Sequence, residues 1–198
     1  KPKYFLLENV RMKKESQDII SKYLGVEPVA INSNLVSAQN RHRLYWTNIP
    51  FDMPEDKGLI LADILEDGVT DREKSHCLDA NYFKGGNLKS YFEKHRRQLV
   101  FNNNVAIYQL PRGYNKGGVT AASVKKGKTP SLTPSSWQHN NFVVKKESYR
   151  KLLPVECERL QTVPDGYTKG VSNTQRYKML GNGWTVDVIA HIFKGITT

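Results

Sequence analysis

Glu8 is the first residue whose type and position suit chemistry. It follows the apolar run Tyr4-Phe5-Leu6-Leu7, which predicts a buried strand. In open α/β sheets ligands bind at the carboxyl ends of strands, so a carboxylate at this point indicates a site. A helix cap or a plain surface acid is the alternative, and position alone leaves both interpretations open.

Two arginines, Arg41 and Arg43, alternate within Gln39-Asn40-Arg41-His42-Arg43, just before a strand predicted over residues 44–47. Alternate residues of an extended chain project from the same face, so both guanidiniums point the same way. Two guanidiniums on one face suit a phosphate or a base carbonyl. On spacing alone, a solvated pair at a strand edge is an equally good interpretation.

The segment Gly181-Asn182-Gly183-Trp184 lies between two predicted helices. Glycine allows another backbone to approach closely, and the Trp184 ring can stack on a planar group. The alternative is a helix C-cap followed by a core tryptophan.

The formal net charge of +11 favours a polyanionic partner, and most of that charge lies in one stretch. Between Glu93 and Glu147 there is no Asp or Glu. The basic residues of this stretch are Lys94, Arg96, Arg97, Arg112, Lys116, Lys125, Lys126, Lys128, Lys145 and Lys146. Small hydroxyl residues follow the lysines, among them Thr133 and Ser135, and they suit close approach to a phosphate backbone. The stretch predicts contact with nucleic acid, although an ordinary polar loop remains an alternative for residues 127–136.

The elements that must position these residues predict an α/β fold. A strand, a helix over residues 16–24 and a further strand at residues 28–31 open the chain, and Gly25 is placed to end the helix. Residues 51–141 are rich in glycine and asparagine and predict an irregular, loop-rich lobe. That lobe contains a predicted helix at residues 90–99 and strands at residues 105–109 and 142–144.

The final part of the chain returns to helical patterns, predicted at residues 154–161, from a cap at Asn173 or Thr174 through residue 180, and at residues 185–193. We therefore expect residues 1–50 to form the distal part of an α/β domain and residues 146–198 to return to it. Residues 51–145 between them form the predicted recognition segment.

Composition argues against several classes of protein. The two cysteines make no disulfide framework, and no Cys/His spacing resembles a zinc site. No apolar run approaches the roughly 20 residues of a membrane helix. We expect no metal, no membrane association and a reducing, cytoplasmic setting.

Taken in order, these segments resemble the DNA cytosine-5 methyltransferases over nearly the whole chain. Residues 5–10, Phe-Leu-Leu-Glu-Asn-Val, are similar to the family's ENV motif, and residues 39–43 match its QxRxR motif. Residues 150–161, followed by Pro-Asp-Gly-Tyr at 164–167, resemble the RxLTPxExxRLQxFPDxY segment, and residues 175–188 resemble the final GN motif. The basic segment falls where the family has its target-recognition domain.

The resemblance implies a partial Rossmann-like methyltransferase sheet with a smaller target-recognition lobe. It implies methyl transfer from S-adenosylmethionine to carbon 5 of a cytosine flipped out of duplex DNA. Glu8 would hydrogen-bond or protonate the base, and Arg41 and Arg43 would hold the base carbonyl, a nearby phosphate and the scaffold of the site. Asn182, Gly183 and Trp184 would face the cofactor. Arg112, Lys116, Lys125, Lys126, Lys128, Thr133 and Ser135 would contact DNA.

The sequence departs from the family pattern in ways that limit these expectations. The glycine-rich cofactor loop and the Pro-Cys nucleophile motif precede ENV in the family and would lie before Lys1, and Cys77 sits too far along the chain to replace the nucleophile. Leu153 replaces the usual threonine before Pro154, and Gly183 stands where serine is common. We expect the chain to need a missing N-terminal half and to be inactive alone.

Three functions remain open from the sequence. The chain is part of a bacterial or phage methyltransferase of the restriction-modification type, a DNA-binding remnant without catalysis, or part of an RNA cytosine methyltransferase on the same scaffold. The length of the recognition segment favours DNA. The recognised base sequence is not encoded in any motif.

Overall fold

The computed structural model describes residues 2–86, 88–109, 123–126 and 142–196. The described residues form both helices and strands, and the predicted mixed α/β class is confirmed. The chain divides into two compact units, each built around its own three-stranded sheet.

The first unit comprises Lys1–Glu66, Thr70–Leu99 and Lys151–Thr198. The second comprises Asp67–Val69 and Val100–Arg150. Residues 51–66 and 70–99, which the sequence assigned to the recognition segment, thus belong to the same compact unit as residues 1–50 and 151–198. The target-recognition assignment of residues 51–145 concerns a role in binding, which compactness does not test, and it stays a prediction.

The sheet of the first unit contains β1 (Leu6–Val10), β2 (Val29–Asn32) and β3 (His42–Thr47). Its strand order is β1–β3–β2, and β3 runs antiparallel to both neighbours. Strands β1 and β2 therefore run in the same direction on either side of β3. The partial Rossmann-like arrangement stays a prediction.

Helices cover both faces of this sheet. Helix α1 (Lys14–Leu24) lies on one face, where the Trp46 indole donates to Ser21 Oγ at 3.0 Å, and it ends at Gly25 with φ 73°. That left-handed conformation suits glycine, as expected from the sequence. The other face carries the core of the unit, in which Ile31 and Tyr45 pack with Val188, Ile189 and Ile192.

The remaining helices of the first unit are short. They are α2 (Leu61–Ile64), α3 (Leu88–Lys94), α4 (Pro154–Leu160), α5 (Asn173–Asn182) and α6 (Val186–Phe193). Short 3-10 turns occupy Ser33–Leu35, Tyr82–Lys84 and Lys194–Ile196. Val188, Ile189 and Ile192 of α6 are buried at helical spacing, which explains why this helix packs on the sheet.

The second unit holds most of β4 (Leu99–Gln109), β5 (Ser123–Lys126) and β6 (Phe142–Lys151), in the order β5–β4–β6. The helix predicted at residues 90–99 is wrong in its second half. Helix α3 ends at Lys94, and Leu99 already begins β4. The two predicted strands of this region are correct in type but too short. Their polar residues hide the alternation that marks a strand.

The described ranges contain neither a candidate membrane span nor a candidate metal cluster. No helix in them is both long and apolar enough to cross a bilayer. No three His, Cys, Asp or Glu residues in them are grouped so that they could hold an ion. Both cysteines are free thiols, of which Cys157 is buried and Cys77 is half-buried.

Candidate functional site

Glu8 and Arg43 form an ion pair on one face of the first sheet. Glu8 lies opposite Tyr45, and Val10 lies opposite Arg43, so all four side chains project from the same face. Oε1 of Glu8 is 2.8 Å from Nε of Arg43, with side chains that are 15% and 14% exposed. The pair is therefore largely removed from water but keeps an opening to solvent.

Tyr45 packs beside this pair without adding charge to it. Its side chain is buried in the core of the unit. Burial, followed by the charge of Glu8, raises the pKa of Tyr45 to about 12. The phenol is therefore neutral at physiological pH, and the charges on this face come from Glu8 and Arg43.

Arg41 is buried and binds backbone carbonyls. Only 3% of the residue is exposed. Its guanidinium donates to the carbonyl of Leu78 at 3.0 Å and to that of Gly183 at 2.7 Å, with a weaker bond to Gly181 at 3.4 Å. This cation holds the loop after α5 against residues 77–78. Of the roles that the resemblance implies for Arg41, the observed contacts correspond to holding the scaffold of the site.

Cys77 brings the two arginines together. Its sulfur lies 3.3 Å from Nη1 of Arg41 and 3.8 Å from Nη2 of Arg43. The expectation that both guanidiniums point the same way therefore agrees with the geometry. Sequence reasoning did not place Cys77 or Leu78 at the site, and no motif in residues 75–78 signals that they belong there.

The Gly-Asn-Gly-Trp segment ends α5 beside these residues. A Cβ on Gly181 would lie 2.3 Å from the backbone carbon and oxygen of Asp79, so only glycine lets the helix approach that backbone. The carbonyl of Gly183 is held by Arg41 and also by Gln161 Nε2 at 3.2 Å. Asn182 is exposed, and Trp184 is 47% exposed. The core position that was the alternative for Trp184 is therefore wrong.

Gln39 links the motifs through buried hydrogen bonds. It is fully buried, and its amide donates to the Leu160 carbonyl at 2.6 Å and to Gln161 Oε1 at 2.9 Å. Gln161 in turn donates to the carbonyl of Leu180. The segment before β3, the end of α4 and the end of α5 thus share one polar network, in which each polar group satisfies another.

Two glutamates of α4, Glu156 and Glu158, hold the chain segments next to this helix in place. The backbone N–H of Leu153 donates to Glu156 Oε2 at 2.6 Å, so the helix start is capped from within even though leucine replaces the usual threonine. Glu158 is fully buried and receives Arg176 Nη2 at 2.8 Å and the Gly166 N–H at 2.7 Å. Glu158 therefore ties the turn after α4 to α5.

The predicted DNA contacts fall mostly outside the described residues. Lys125 and Lys126 lie on β5, where they pair with Ile107 and Ala106 of β4. The predicted contacts that lie outside the described residues are Arg112, Lys116, Lys128, Thr133 and Ser135. The DNA-binding role of the whole set stays a prediction.

Comparisons with known proteins identify two curated relatives of this chain. The chain is 28% identical to type II methyltransferase M2.ScrFI of Lactococcus lactis subsp. cremoris, over 98% of this chain and 54% of that protein. It is 28% identical to type II methyltransferase M.HpaII of Haemophilus parainfluenzae, over 95% of this chain and 58% of that protein. The chain spans just over half the length of these curated relatives.

A solved structure is similar to this chain in fold. The Entamoeba histolytica methyltransferase EhMeth superposes with a TM-score of 0.54 at 15% identity, covering 99% of this chain and 64% of that one. The sequence profile of the C-5 cytosine-specific DNA methylases matches residues 1–198, the entire chain. The chain therefore belongs to the C-5 cytosine-specific DNA methylase family.

Proposed function

We propose that this chain supplies the base-seating and DNA-reading half of a DNA cytosine-5 methyltransferase, which acts when an N-terminal half completes it. The observation that carries the proposal is the half-buried Glu8–Arg43 ion pair, which lies beside the anchored loop after α5. A carboxylate and a guanidinium side by side offer an acceptor and donors in fixed positions. Such a pair suits the edge of a flipped cytosine.

Each residue then has a distinct task. Glu8 accepts from the exocyclic amine of the base and, in its protonated form, donates to the ring nitrogen, which stabilises the charge that develops when a thiolate adds to the ring. Arg43 holds the Glu8 carboxylate and donates to the base carbonyl. Arg41 is a positioning residue, because its guanidinium is already committed to backbone carbonyls.

Two side chains at the end of α5 and just after it suit binding of S-adenosylmethionine. The exposed Asn182 amide and the exposed Trp184 ring lie next to a loop whose Gly183 carbonyl is held from behind by Arg41. That arrangement leaves an amide for hydrogen bonding and a ring for packing on a fixed backbone. The cofactor would supply the methyl group, and these residues would orient it.

The acid-free basic stretch supports duplex DNA as the substrate. Reversing the charges of Lys125, Lys126 and Lys128 is expected to weaken DNA binding and to flatten its dependence on salt, by roughly one unit of slope for each phosphate that the protein no longer binds. A salt slope equal to that of the unchanged protein would place the DNA surface elsewhere.

Replacing Glu8 by glutamine in the completed enzyme tests the site itself. We expect DNA binding to remain and methyl transfer to fall by about 100-fold or more, because the change removes a proton donor and no phosphate contact. Glu15→Gln, an exposed position on α1, is the matched control and is expected to leave turnover unchanged. Near-normal turnover of Glu8→Gln would remove the proposed role.

Complementation separates the three candidate functions. Labelled S-adenosylmethionine is supplied with this chain, a complementing N-terminal half and either duplex DNA or transfer RNA. Transfer to duplex DNA supports the proposal. Transfer to RNA alone favours an RNA methyltransferase, and binding to DNA without transfer at any ratio of the halves favours a non-catalytic remnant.

A further inference from the structure

A cavity of about 350 Å³ opens beside the Glu8–Arg43 pair, within the first unit. Its wall includes Arg43, Cys77, His95 and Arg96. Asp79 is the one carboxylate among the residues that the structure places around this cavity. The chemistry of the lining therefore favours an anionic ligand.

The backbone that carries His95 and Arg96 has an uncommon conformation. His95 and Arg97 have φ of 49° and 58°, in the left-handed region that residues other than glycine seldom adopt. Arg97 anchors the segment, since it donates to the Gly85 carbonyl at 3.2 Å and lies 3.9 Å from Asp79. Strained backbone of this kind persists where the surroundings hold it, and it is concentrated at functional sites.

Arg96 is held only loosely in its present position. Its Nη2 lies 3.2 Å from Asp79 Oδ2, and 55% of the Arg96 side chain is exposed. Exposed ion pairs contribute little stability, so a ligand with a stronger negative charge competes well for Arg96. The other carboxylate oxygen of Asp79 accepts from the Asn81 N–H at 2.8 Å and fixes the turn independently of Arg96.

His76 adds a neutral donor to the same wall. Nη1 of Arg72 is 2.7 Å from Nε2 of His76, and because arginine only donates, this nitrogen is the acceptor. Burial, followed by the charge of Arg72, lowers the pKa of His76 to about 4. At neutral pH the ring is therefore uncharged, with its proton on Nδ1.

We propose that this cavity is a phosphodiester site, in which Arg96 leaves Asp79 to bind a DNA backbone phosphate near the target base. The inference rests on the proposed function, because it takes DNA as the ligand, and it adds Arg96 and His95 to the DNA-contacting residues, with Asp79 as the group that Arg96 leaves. Arg43 lines the cavity and also pairs with Glu8, so one guanidinium belongs to both the base-seating pair and the phosphate site.

The test measures binding of this chain to labelled duplex DNA over a range of salt concentrations. Arg96→Gln is expected to weaken binding about tenfold and to lower the salt slope by about one. Lys22→Gln removes the same charge from an exposed position on α1, outside the basic stretch and away from the cavity, and it is expected to stay within about twofold. Equal effects of the two variants would overturn the inference.

Asp79→Asn gives a result of opposite sign. It removes the competitor for Arg96 while keeping an oxygen for Asn81, so DNA binding is expected to tighten about threefold. Weaker or unchanged binding, in protein whose amide spectrum shows it folded, would mean that the Asp79–Arg96 pair is only structural. That outcome also overturns the inference.

Inorganic phosphate separates a DNA phosphate from a free one. Its binding is followed by the ring signals of His95 and His76 in magnetic resonance spectra, and we expect Arg96→Gln to abolish the response. If free phosphate shifts the histidine signals but Arg96→Gln leaves the affinity for DNA unchanged, the cavity binds free phosphate. That outcome would overturn the DNA inference. If no variant binds duplex DNA, the proposed function fails, and the phosphate titration still decides whether the cavity takes an anion.

Discussion

Replacing Glu158 by glutamine is expected to cost much of the stability of the first unit. The carboxylate is fully buried and receives donors from Arg176, the Gly166 N–H, and both the N–H and hydroxyl of Thr168. Burial on its own raises the pKa of Glu158. The hydrogen bonds from Thr168 and Arg176 outweigh it and lower the pKa from 4.5 to about 2.

The size and pH dependence of the effect follow from that shift. A pKa lowered by about 2.5 units corresponds to about 3 kcal/mol of folding free energy at pH 7, where the unfolded chain is also ionised. Because the folded pKa is depressed, this stabilisation is complete above pH 4.5 and is lost as the pH falls towards 2. At pH 3.5 it is expected to be about 2 kcal/mol.

Urea unfolding of the two proteins at several pH values measures this difference. The gap in unfolding free energy between the parent chain and Glu158→Gln should be about 3 kcal/mol at pH 7 and should narrow below pH 4.5. Glu93→Gln, an exposed position on α3, controls for the loss of a carboxylate and should change stability by less than about 0.5 kcal/mol. A gap under about 1 kcal/mol at pH 7, or one that widens in acid, would refute the reasoning.

Arg41→Ala removes two hydrogen bonds from a charged donor to backbone carbonyls. It is expected to lower the free energy of unfolding in urea by about 3–6 kcal/mol. A loss below about 1 kcal/mol would contradict the scaffold role. Gly181→Ala puts a methyl group against the backbone of Asp79 and should lower stability by about 1–3 kcal/mol, whereas an unchanged midpoint would show that the helix moves freely. Burial raises the pKa of the Cys157 thiol well above its usual range, so a thiol reagent at pH 8 should modify Cys77 alone in the folded chain and both cysteines after denaturation.

Local signals predicted where helices begin and end with useful accuracy. Gly25 ends α1 as expected, because glycine alone adopts the required left-handed conformation without strain. Pro154 opens α4 as expected. The cap of α5 is one residue earlier than predicted, since the Ser172 hydroxyl accepts from the Gln175 N–H.

The apolar residues of α1 do not form one buried face. Ile20 and Leu24 are half-buried, while Ile19 and Tyr23 are 58% and 86% exposed. The residue that meets the sheet is Ser21, whose hydroxyl accepts from Trp46. A pattern of apolar residues does not reveal that a small polar side chain can pack more closely than they do.

The motifs supply candidate residues for the site, which stay predictions, and they say nothing about how these residues are held. Glu8 and Arg43 lie 35 positions apart, and only the register of β1 on β3 brings them together. The contact of Arg41 with Leu78 has no sequence signal, because its acceptor is a backbone carbonyl that every residue possesses. Side-chain type alone therefore does not identify the backbone acceptor of such a long-range contact.

The long-range bonds of the scaffold also determine when the site forms during folding. Gln39 reaches Leu160 across 121 positions, and Arg41 reaches Gly183 across 142. Closing loops of that length is entropically costly, so contacts within β1, α1 and β3 form first and these closures come late. A growing chain can therefore build the sheet that bears Glu8 early in its synthesis, yet the Arg41 guanidinium lacks its Gly181 and Gly183 acceptors until α5 has emerged and docked.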